Sequence, residues 1–405
     1  MAPVGSFESL MAAIQGNADS VYFGLGKLNM RSRSSVNFTG NDLKKIMRIC
    51  RQFQKKAYLT LNIIVYDKEL DDMKRAVDLA AENGIDAIIA ADQATIQYAH
   101  QQGVEVHLST QVNISNAESL RFYSGFAEVA VLARELNLEQ VARIAKQIKS
   151  EEITGPSGNL MRVELFAHGA LCMSVSGKCY LSLHQHNHSA NRGDCLQDCR
   201  RSYIVTEKEG GNELEIDNEF ILSPKDLCTI HFINKILDAG VRVLKIEGRA
   251  RSPEYVKVVT SVYDDALNSY FDGSYNHEKI LQWQKRLSSV FNRGFWDGYY
   301  LGQRLGEWND VYGSRATFTK SYVAKNLNYF AKSGIGEFLC ESGPLNVGDR
   351  ILIIGPSTGV IEQEIQELRV DLAPTRAAHA GDKFSMPVDR KVRRADKLYK
   401  LIQNS

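Results

Sequence analysis

Short apolar runs alternate with amphipathic segments along the chain up to about residue 310. The apolar runs predict β-strands over 20–25, 57–63, 87–91, 106–110, 128–133, 162–168, 220–223 and 243–247. The amphipathic segments predict helices over 42–54, 69–83, 95–102, 117–123, 138–149, 226–239 and 253–271. Several helices end at a glycine just before the next strand, as at Gly84, Gly103 and Gly240, which is typical of helix C-caps. Continuous apolar strands joined by helices indicate a parallel sheet that is covered on both faces.

Eight strand–helix units favour an α/β fold of the TIM-like (β/α)8 barrel type over an open doubly wound sheet, since that barrel takes roughly 250 residues. We therefore predict a barrel over residues 1–310. A helix predicted over 7–15 precedes the first of these strands. Either residues 2–4 form a clipped first strand, or one of the later strands lies outside the barrel.

The pattern changes near residue 312, where alternating strands and glycine turns replace long helices. Strands are predicted over 312–323, 335–340, 348–354, 360–368 and 384–388. This pattern indicates a small C-terminal β-barrel domain over residues 311–405. The domain has no acid/base pair of its own, so we expect it to serve recognition, including RNA binding. The basic run 389–400 is either a solvated C-terminal segment or a binding tail.

Composition limits the classes of partner. The 405 residues are 44% hydrophobic and 24% charged, which is enough for a large core, and the net charge is only +1. A global basic field for nucleic acid is therefore missing, and any RNA contact has to come from local patches. The chain shows neither a signal-peptide pattern at its start nor an apolar run long enough to cross a bilayer, so a cytoplasmic location is expected.

Five of the seven cysteines fall within one short stretch. They are Cys172, Cys179, Cys195, Cys199 and Cys228. In a cytoplasmic protein, clustered cysteines more often bind a metal or do chemistry than form disulfides. Structural zinc sites usually carry two C-x2–4-C pairs, and only Cys195 and Cys199 resemble one. An iron–sulfur cluster is favoured over zinc and over buried, unliganded thiols. Cys50 and Cys340 stand alone and are expected in the core.

Arginines follow three separate predicted strands, at Arg31, Arg134 and Arg249. In a (β/α)8 barrel the loops after the carboxyl ends of the strands carry the active site, so these side chains should converge. Guanidinium groups bind carboxylates and phosphates through paired hydrogen bonds, which predicts an anionic substrate. The alternative is a ring of salt bridges at the rim with Glu135, Glu247 and Asp226.

Segment 164–182 resembles the signature of the collagenase-like peptidase family U32. The matching positions are Glu164, Phe166, Gly169, Ala170, Leu171, Cys172, Gly177, Cys179, Leu181 and Ser182. Further blocks resemble that family at 2–6, 21–24, 108–111, 132–135, 223–228 and 245–249. The family includes reported collagen-degrading members and members that hydroxylate RNA bases or the ubiquinone ring. The resemblance implies a cluster held by Cys172, Cys179 and Cys195, with Cys228 or Cys199 as the fourth ligand.

Block 195–201, the C-terminal β domain and the chain length are most similar to the tRNA hydroxylation branch of that family. That branch makes 5-hydroxyuridine at the anticodon wobble position and depends on prephenate. The resemblance therefore implies a 4Fe-4S cluster within a cysteine-rich insertion at about 168–228, prephenate as co-substrate, and tRNA rather than rRNA as partner. A protein partner or a homo-oligomer is a further expectation, while membrane and DNA are not expected partners.

Two alternatives to RNA hydroxylation stay open, a U32-type peptidase and a cluster-bearing accessory protein of another hydroxylation. A peptidase needs an activated nucleophile or a metal-bound water. The sequence shows no Ser/His/Asp order and no H-E-x-x-H motif. Family members usually carry a short apolar strand ahead of the block that matches 2–6, and this chain begins at that block, which suggests a start placed too late.

Overall fold

Two β-sheets organise the protein, a mainly parallel one and an antiparallel one. The structure is a computed structural model, and it describes residues 1–33, 37–204 and 219–404. The parallel sheet alternates with helices, as the sequence predicts, and the antiparallel sheet follows it in the chain. The protein therefore has an α/β fold with a separate, β-rich C-terminal region.

The first sheet has ten strands. They are Ala2–Pro3 (β1), Ser20–Gly24 (β2), Lys56–Leu61 (β3), Ala87–Ala90 (β4), Val106–Leu108 (β5), Val129–Val131 (β6), Arg162–Ala170 (β7), Asp226–Cys228 (β8), Val243–Ile246 (β9) and Phe295–Trp296 (β10). Strands β1 to β7 pair in chain order and in parallel, and β9 pairs in parallel with β7. Strand β8 runs antiparallel to the end of β7, and β10 pairs with β8.

Ten helices accompany this sheet in the part of the chain that the structure describes. They are Phe7–Gln15 (α1), Gly40–Gln52 (α2), Leu70–Glu82 (α3), Gln93–Gln101 (α4), Ala117–Ser124 (α5), Leu138–Ser150 (α6), Leu181–His186 (α7), Ile233–Asp238 (α8), Pro253–Phe271 (α9) and His277–Ser288 (α10). Most bury one apolar face against the sheet, as α2 does with Leu43, Ile46 and Met47. None of the described helices combines the length and the apolar character needed to span a membrane.

The predicted order of strands needs one correction. Ala2–Pro3 is indeed a clipped first strand, in register with Val21 and Tyr22 of β2. The predicted strand over 220–223 is wrong, because these residues form turns. The predicted helix over 226–239 is wrong in its first half, since Asp226–Cys228 pairs with the overhanging end of β7 and α8 begins only at Ile233. Eight parallel strands remain, β1 to β7 and β9.

Backbone hydrogen bonds join the start of the chain to β9. The amino group of Met1 donates to the carbonyl oxygen of Leu244 at 2.8 Å, and the amide of Ile246 donates to the carbonyl oxygen of Met1 at 3.2 Å. No ladder pairs β1 with β9 in the described residues. The two edges of the parallel sheet are therefore adjacent without a strand pairing between them.

A buried ion pair lies between neighbouring strands β7 and β9. The Lys245 ammonium contacts the Glu164 carboxylate at 2.8 Å, and both side chains are almost fully excluded from solvent. The same ammonium lies 4.9 Å from the centroid of the Tyr22 ring. Buried charges of this kind are tolerated only when they are paired. The glutamate that interrupts the apolar strand is thus explained by its lysine partner.

The second sheet is antiparallel and has its own core. Its region contains Phe318–Phe330 (β11), Ile335–Cys340 (β12), Leu345–Asn346 (β13), Arg350–Gly355 (β14), Gly359–Glu364 (β15), Leu368–Val370 (β16), Ala373–Thr375 (β17), Ala377–Ala378 (β18), Lys383–Pro387 (β19) and Lys397–Gln403 (β20). Eight of them form one sheet in the order β15-β14-β20-β11-β12-β19-β16-β17, and β13 pairs with β18. Phe338 and Phe384 stack at 5.4 Å in the core.

Part of the predicted basic tail is a central strand. Strand β20 lies between β14 and β11, so the interpretation of 397–400 as a solvated or binding tail is wrong. Lys400 bonds to Asp349 at 2.7 Å, and Leu398 belongs to the buried core. Because side chains alternate along a strand, Lys397 and Lys400 lie on opposite faces. Exposed basic side chains remain in the turn before β20 and at Lys397, the first residue of that strand.

The antiparallel sheet is fixed against helices α1 and α9. The Gln15 side chain donates to the carbonyl oxygen of Thr358 and accepts from the amide of Val360, both at 2.9 Å. Lys257 of α9 donates to the carbonyl oxygen of Val360 at 2.9 Å, and Tyr399 packs against the large core. The two parts of the protein therefore share apolar contacts as well as hydrogen bonds.

Candidate functional site

A cavity of about 190 Å³ opens at the carboxyl ends of the parallel strands. Its walls come from the loops after β2, β3, β5, β6, β7 and β9, the positions where the sequence predicts a site. Asn62 follows β3, and Ser109 and Gln111 follow β5. Their side chains are linked, since the Asn62 amide donates to the Ser109 hydroxyl at 3.1 Å and to Gln111 at 3.3 Å. The strand order thus gathers residues that are distant in sequence.

Four of the five clustered cysteines line this cavity. They are Cys172, Cys179, Cys195 and Cys199. Cys228 does not line it, because it lies on β8 within the apolar core and is only 3% exposed. Burial raises the pKa of the Cys228 thiol to about 12. The two candidates for the fourth ligand are therefore in different environments, Cys199 at the cavity and Cys228 behind it.

The two remaining cysteines, Cys50 and Cys340, are buried, as predicted. Cys50 lies on α2 against the large core, and Cys340 lies on β12 in the core of the antiparallel sheet. Neither lines the cavity.

Glycines shape the start of the cysteine segment. Gly169 has a φ of +105°, and a Cβ there would lie 2.4 Å from the carbonyl oxygen of Glu247. Only glycine lets β7 pass this close to the chain after β9. Gly177 has a φ of +77° and packs against Gln111. These two positions hold the loop that carries Cys172 against the carboxyl ends of the strands.

Arg200 ties the two ends of the cysteine segment together. Its guanidinium donates to the carbonyl oxygen of Leu171 at 2.5 Å, to that of Pro224 at 2.6 Å and to the Ser223 hydroxyl at 2.9 Å. These contacts fix Ser223 and Pro224, which follow the turn at 219–222, beside Leu171. We call the arrangement of Leu171, Arg200, Ser223 and Pro224 the neck of the segment.

The cavity is strongly cationic. Its lining contains Arg31, Arg134, Arg200, Lys245, Arg249, Arg251 and Arg293, against the single carboxylate of Glu247. Desolvation raises the pKa of the Cys172 thiol, but Arg134, hydrogen bonds with Ser174 and Arg31 together outweigh it, and the pKa falls below its usual value. Positive charge of this kind favours thiolates and bound anions.

The cysteines interact with one another electrostatically. Burial raises the pKa of Cys195 and raises that of Cys199 to about 11, and nearby thiols add to both shifts. Across the described residues, no three His, Cys, Asp or Glu side chains come close enough to hold one metal ion. Four thiols that line one cavity and influence one another's pKa form a set of soft sulfur donors.

The three predicted arginines all line this cavity, but their contacts differ. Arg31 bonds to Glu247 at 2.9 Å, which is the salt bridge that the alternative interpretation predicts. Arg249 is buried and donates to Asn29 at 3.0 Å and to Thr60 at 2.8 Å, and burial lowers its pKa to about 10. Arg134 makes neither a hydrogen bond nor an ion pair with a described residue, and its guanidinium lies 5.9 Å from the Phe166 ring. Arg134 is therefore the one best placed to bind a ligand.

Two lining arginines were missed by sequence reasoning. Arg293 lies between α10 and β10, outside the strand–loop pattern, and pairs with Asp226 at 3.5 Å. Arg200 belongs to block 195–201, which the sequence singles out for its family resemblance without assigning a role to this arginine. Arg251, which follows β9, lies 4.0 Å from the other oxygen of Asp226 and stacks on Phe291. Contacts between residues that are far apart in the sequence cannot be predicted from the spacing of residues along the chain.

Histidine does not line the cavity in the described part of the chain. The nearby His168 on β7 is 1% exposed, and burial lowers its pKa to about 3. An imidazole that stays neutral and buried in this way cannot exchange protons with a substrate. The cavity thus lacks the histidine base that would activate a serine or cysteine nucleophile.

Comparison with known proteins identifies one family and several relatives with different names. The model of "Peptidase family U32" matches residues 5–310. A protein of Porphyromonas gingivalis named "Collagenase" is 59% identical over 400 residues, covering 99% of this chain and 97% of that protein. "tRNA hydroxylation protein P1" of Bacillus subtilis is 32% identical over 365 residues, covering 88% of this chain and 83% of that protein. "23S rRNA 5-hydroxycytidine C2501 synthase" of Escherichia coli is 33% identical over 307 residues, covering 73% of this chain and 44% of that protein.

Proposed function

The chain belongs to peptidase family U32, and we propose that it hydroxylates an RNA base with the help of an iron–sulfur cluster. The observation that carries the proposal is the group of four cysteines on the wall of a cationic cavity at the strand ends. The relatives named for tRNA hydroxylation and for rRNA 5-hydroxycytidine synthesis support an RNA substrate. The most specific form of the proposal is 5-hydroxyuridine formation at the wobble position of tRNA.

Cys172, Cys179, Cys195 and Cys199 would hold a 4Fe-4S cluster. Such a cluster supplies one-electron transfer beside the substrate. Cys199 is preferred to Cys228 as the fourth ligand because it lines the same cavity as the other three. The surrounding guanidinium groups would offset the negative charge of the four thiolates. The protein itself would position the substrate and limit the access of water.

We further infer that the parallel sheet closes into a (β/α)8 barrel. Its eight parallel strands follow the chain order of that fold, and the hydrogen bonds of Met1 with Leu244 and Ile246 bring the two edges together. Closure would explain why loops after β2 and β9 share one cavity with those after β5 and β6.

Arg134 is proposed to bind a carboxylate of the co-substrate, prephenate. Arg134→Ala should weaken prephenate binding by about tenfold or more, since a charge-assisted contact contributes roughly 1.5–3 kcal/mol. Isothermal calorimetry on the cluster-loaded protein measures this affinity. Arg143→Ala is the control, because Arg143 is an exposed arginine of α6 that pairs only with Glu139. If the Arg134→Ala and Arg143→Ala proteins bind prephenate equally well, its carboxylate is bound by other residues.

The antiparallel sheet is proposed to position RNA. Among the described residues, none beyond Arg293 lines the cavity, so the proposal gives this sheet no part in the chemistry. The turn before β20 exposes Arg390, Lys391, Arg393 and Arg394. Exposed basic side chains close together bind phosphates in a salt-dependent manner. In this proposal the turn contacts the RNA backbone while the target base is bound elsewhere on the protein.

Peptide hydrolysis is the second candidate, because of the relative named collagenase. It has less support from the site, where the described cavity lining holds four thiols and no histidine. The names of the relatives describe those proteins only, and the reaction of this chain has to be determined by experiment. Hydrolysis of gelatin by the purified protein measures this candidate directly.

The decisive test is nucleoside mass spectrometry of bulk tRNA and rRNA from a strain that lacks the gene. We expect loss of 5-hydroxyuridine or a nucleoside derived from it, restored by the wild-type gene and not by Cys172→Ser. Loss of a hydroxylated nucleoside from rRNA alone would move the substrate from tRNA to rRNA. An unchanged nucleoside profile would refute RNA hydroxylation.

A further inference from the structure

A second cavity lies directly against the cysteine cavity. The two share Arg134, Leu171, Cys172 and Met173 in their linings. The remaining wall of the second cavity is mainly aromatic, with Trp296, Tyr299, Tyr300 and Trp308. We call it the aromatic pocket. Any group held there lies beside Cys172 and therefore beside the proposed cluster.

The aromatic pocket is open at Gly306 because this residue has no side chain. A Cβ at Gly306 would lie 3.7 Å from each of three atoms, namely Cη2 of Trp296, Cζ2 of Trp308 and the hydroxyl oxygen of Tyr299. The edges of three rings thus surround a bare backbone position. Aromatic side chains around an open position suit a ligand with a π face.

Polar groups of the pocket match the edge of a nucleobase. Trp296 is 5% exposed, and its Nε1 has no hydrogen-bond partner among the described residues. That N–H group is closed to solvent, so the groups that can meet a ligand are the Arg134 guanidinium, a donor, and the Glu135 carboxylate, an acceptor. A pyrimidine presents carbonyl oxygens together with an N–H or amino group, which is the complementary set.

The segment that carries the pocket also exposes large apolar side chains. Trp308 is 37% exposed, Leu305 84% and Tyr312 80%. Single-stranded RNA binds to such surfaces by stacking its bases, with little dependence on sequence. Enzymes that modify a base have to bring it out of the stack and into a pocket.

We propose that the aromatic pocket receives the target pyrimidine of an unpaired RNA segment, stacked on Trp308 and next to Cys172. This inference rests on the proposed function and specifies its substrate site. The Arg134 guanidinium, which carries five N–H donors, donates to a base oxygen as well as to the co-substrate carboxylate, and Glu135 accepts from the base N–H. Trp308 forms the outer wall, where the base enters.

Nucleotide binding to the cluster-loaded protein tests the pocket without turnover. The probe is a short fluorescein-labelled oligouridylate, followed by anisotropy, with quenching of tryptophan emission by unlabelled uridine 5′-monophosphate as the second readout. Gly306→Val should fill the pocket and weaken binding by about tenfold or more, since stacking a base is worth a fold-change of that size. Gly125→Val is the matched control, because a Cβ at Gly125 meets nothing within 4 Å.

Two further variants test which tryptophan stacks on the base. The protein has three tryptophans, and Trp283 on α10 lies outside the pocket. Trp308→Leu should remove the saturable quenching, whereas Trp283→Phe should keep it. Thermal unfolding shows which variants are folded, and only folded ones are compared. Unchanged affinity and quenching in Gly306→Val would overturn the proposal, and so would saturable quenching by a Gly-Pro-Pro peptide but not by the nucleotide.

Nucleoside analysis separates this inference from the proposed function. If Gly306→Val restores full RNA modification to the deletion strain, hydroxylation stands and the pocket does not hold the base. If the deletion strain loses no modified nucleoside while Gly306→Val still weakens nucleotide binding, the pocket stands as a base site and hydroxylation fails.

Discussion

Serine in place of Cys172, Cys179, Cys195 or Cys199 is expected to abolish the iron content and the visible absorbance of anaerobically purified protein. The four thiols share one cavity wall, and a serine hydroxyl is a poor ligand for the soft iron–sulfur centre. Iron and sulfide analysis measures the loss directly. The wild-type protein should carry about one 4Fe-4S cluster per chain.

The other three cysteines provide the controls. Cys50→Ser and Cys340→Ser should retain the cluster, because both thiols lie in apolar cores away from the cavity. Cys228→Ser should also retain it in whatever fraction folds, since Cys228 is buried behind the cavity. A Cys228→Ser protein that is folded and free of iron, with a Cys199→Ser protein that keeps its cluster, would reverse the choice of fourth ligand. Equal cluster loss in the Cys50 and Cys340 variants would refute the whole assignment.

Lys245→Met is expected to lower the free energy of unfolding by about 3–5 kcal/mol, which is the typical effect of leaving one buried charge without its partner. The Glu164 carboxylate would stay in the sheet interior, where the lysine is its ion-pair partner. Chemical denaturation followed by circular dichroism measures the change in the apo proteins, compared with apo wild type.

The double variant Lys245→Met with Glu164→Leu is the matched control. It removes both charges at once, so much of the stability should return. Lys279→Met is a second control, because Lys279 on α10 donates to the hydroxyls of Ser269 and Ser274, so its loss leaves no buried carboxylate without a partner. If Lys245→Met unfolds at the same denaturant concentration as the wild type, the carboxylate is stabilised by other groups in the sheet.

The parallel part of the fold is predictable because its signals are local. Apolar runs of strand length and glycine caps specify elements such as β3 and α9 with errors of a residue or two. The rule that sites lie at the carboxyl ends of parallel strands then brings Arg134 and Cys172 into one cavity. These inferences need only the order of elements along the chain.

Long-range pairing explains what the sequence does not predict. Strand β8 exists because β7 extends beyond its parallel neighbours and offers free backbone groups to Asp226–Cys228. The lysines of strand β20 obscure its strand pattern in the sequence. Lys400 is tolerated there because it forms an ion pair with Asp349, which is distant in the chain. Spacing also cannot distinguish Cys199 from Cys228, because their positions relative to the cavity depend on that same local topology. The sequence also does not predict the aromatic pocket, since Trp296 and Trp308 belong to no helical or strand periodicity of apolar residues.

The neck formed by Arg200 with Leu171, Ser223 and Pro224 has a consequence for how the protein can diversify. A segment whose ends are pinned at one point can change length at small cost, because doubling a loop adds only about 0.6 kcal/mol of closure entropy. Insertions and deletions between Arg200 and Ser223, outside the part that carries the four cavity cysteines, would leave the parallel sheet and its register intact. Substrate range can thus evolve in this one segment while the scaffold beneath it stays the same.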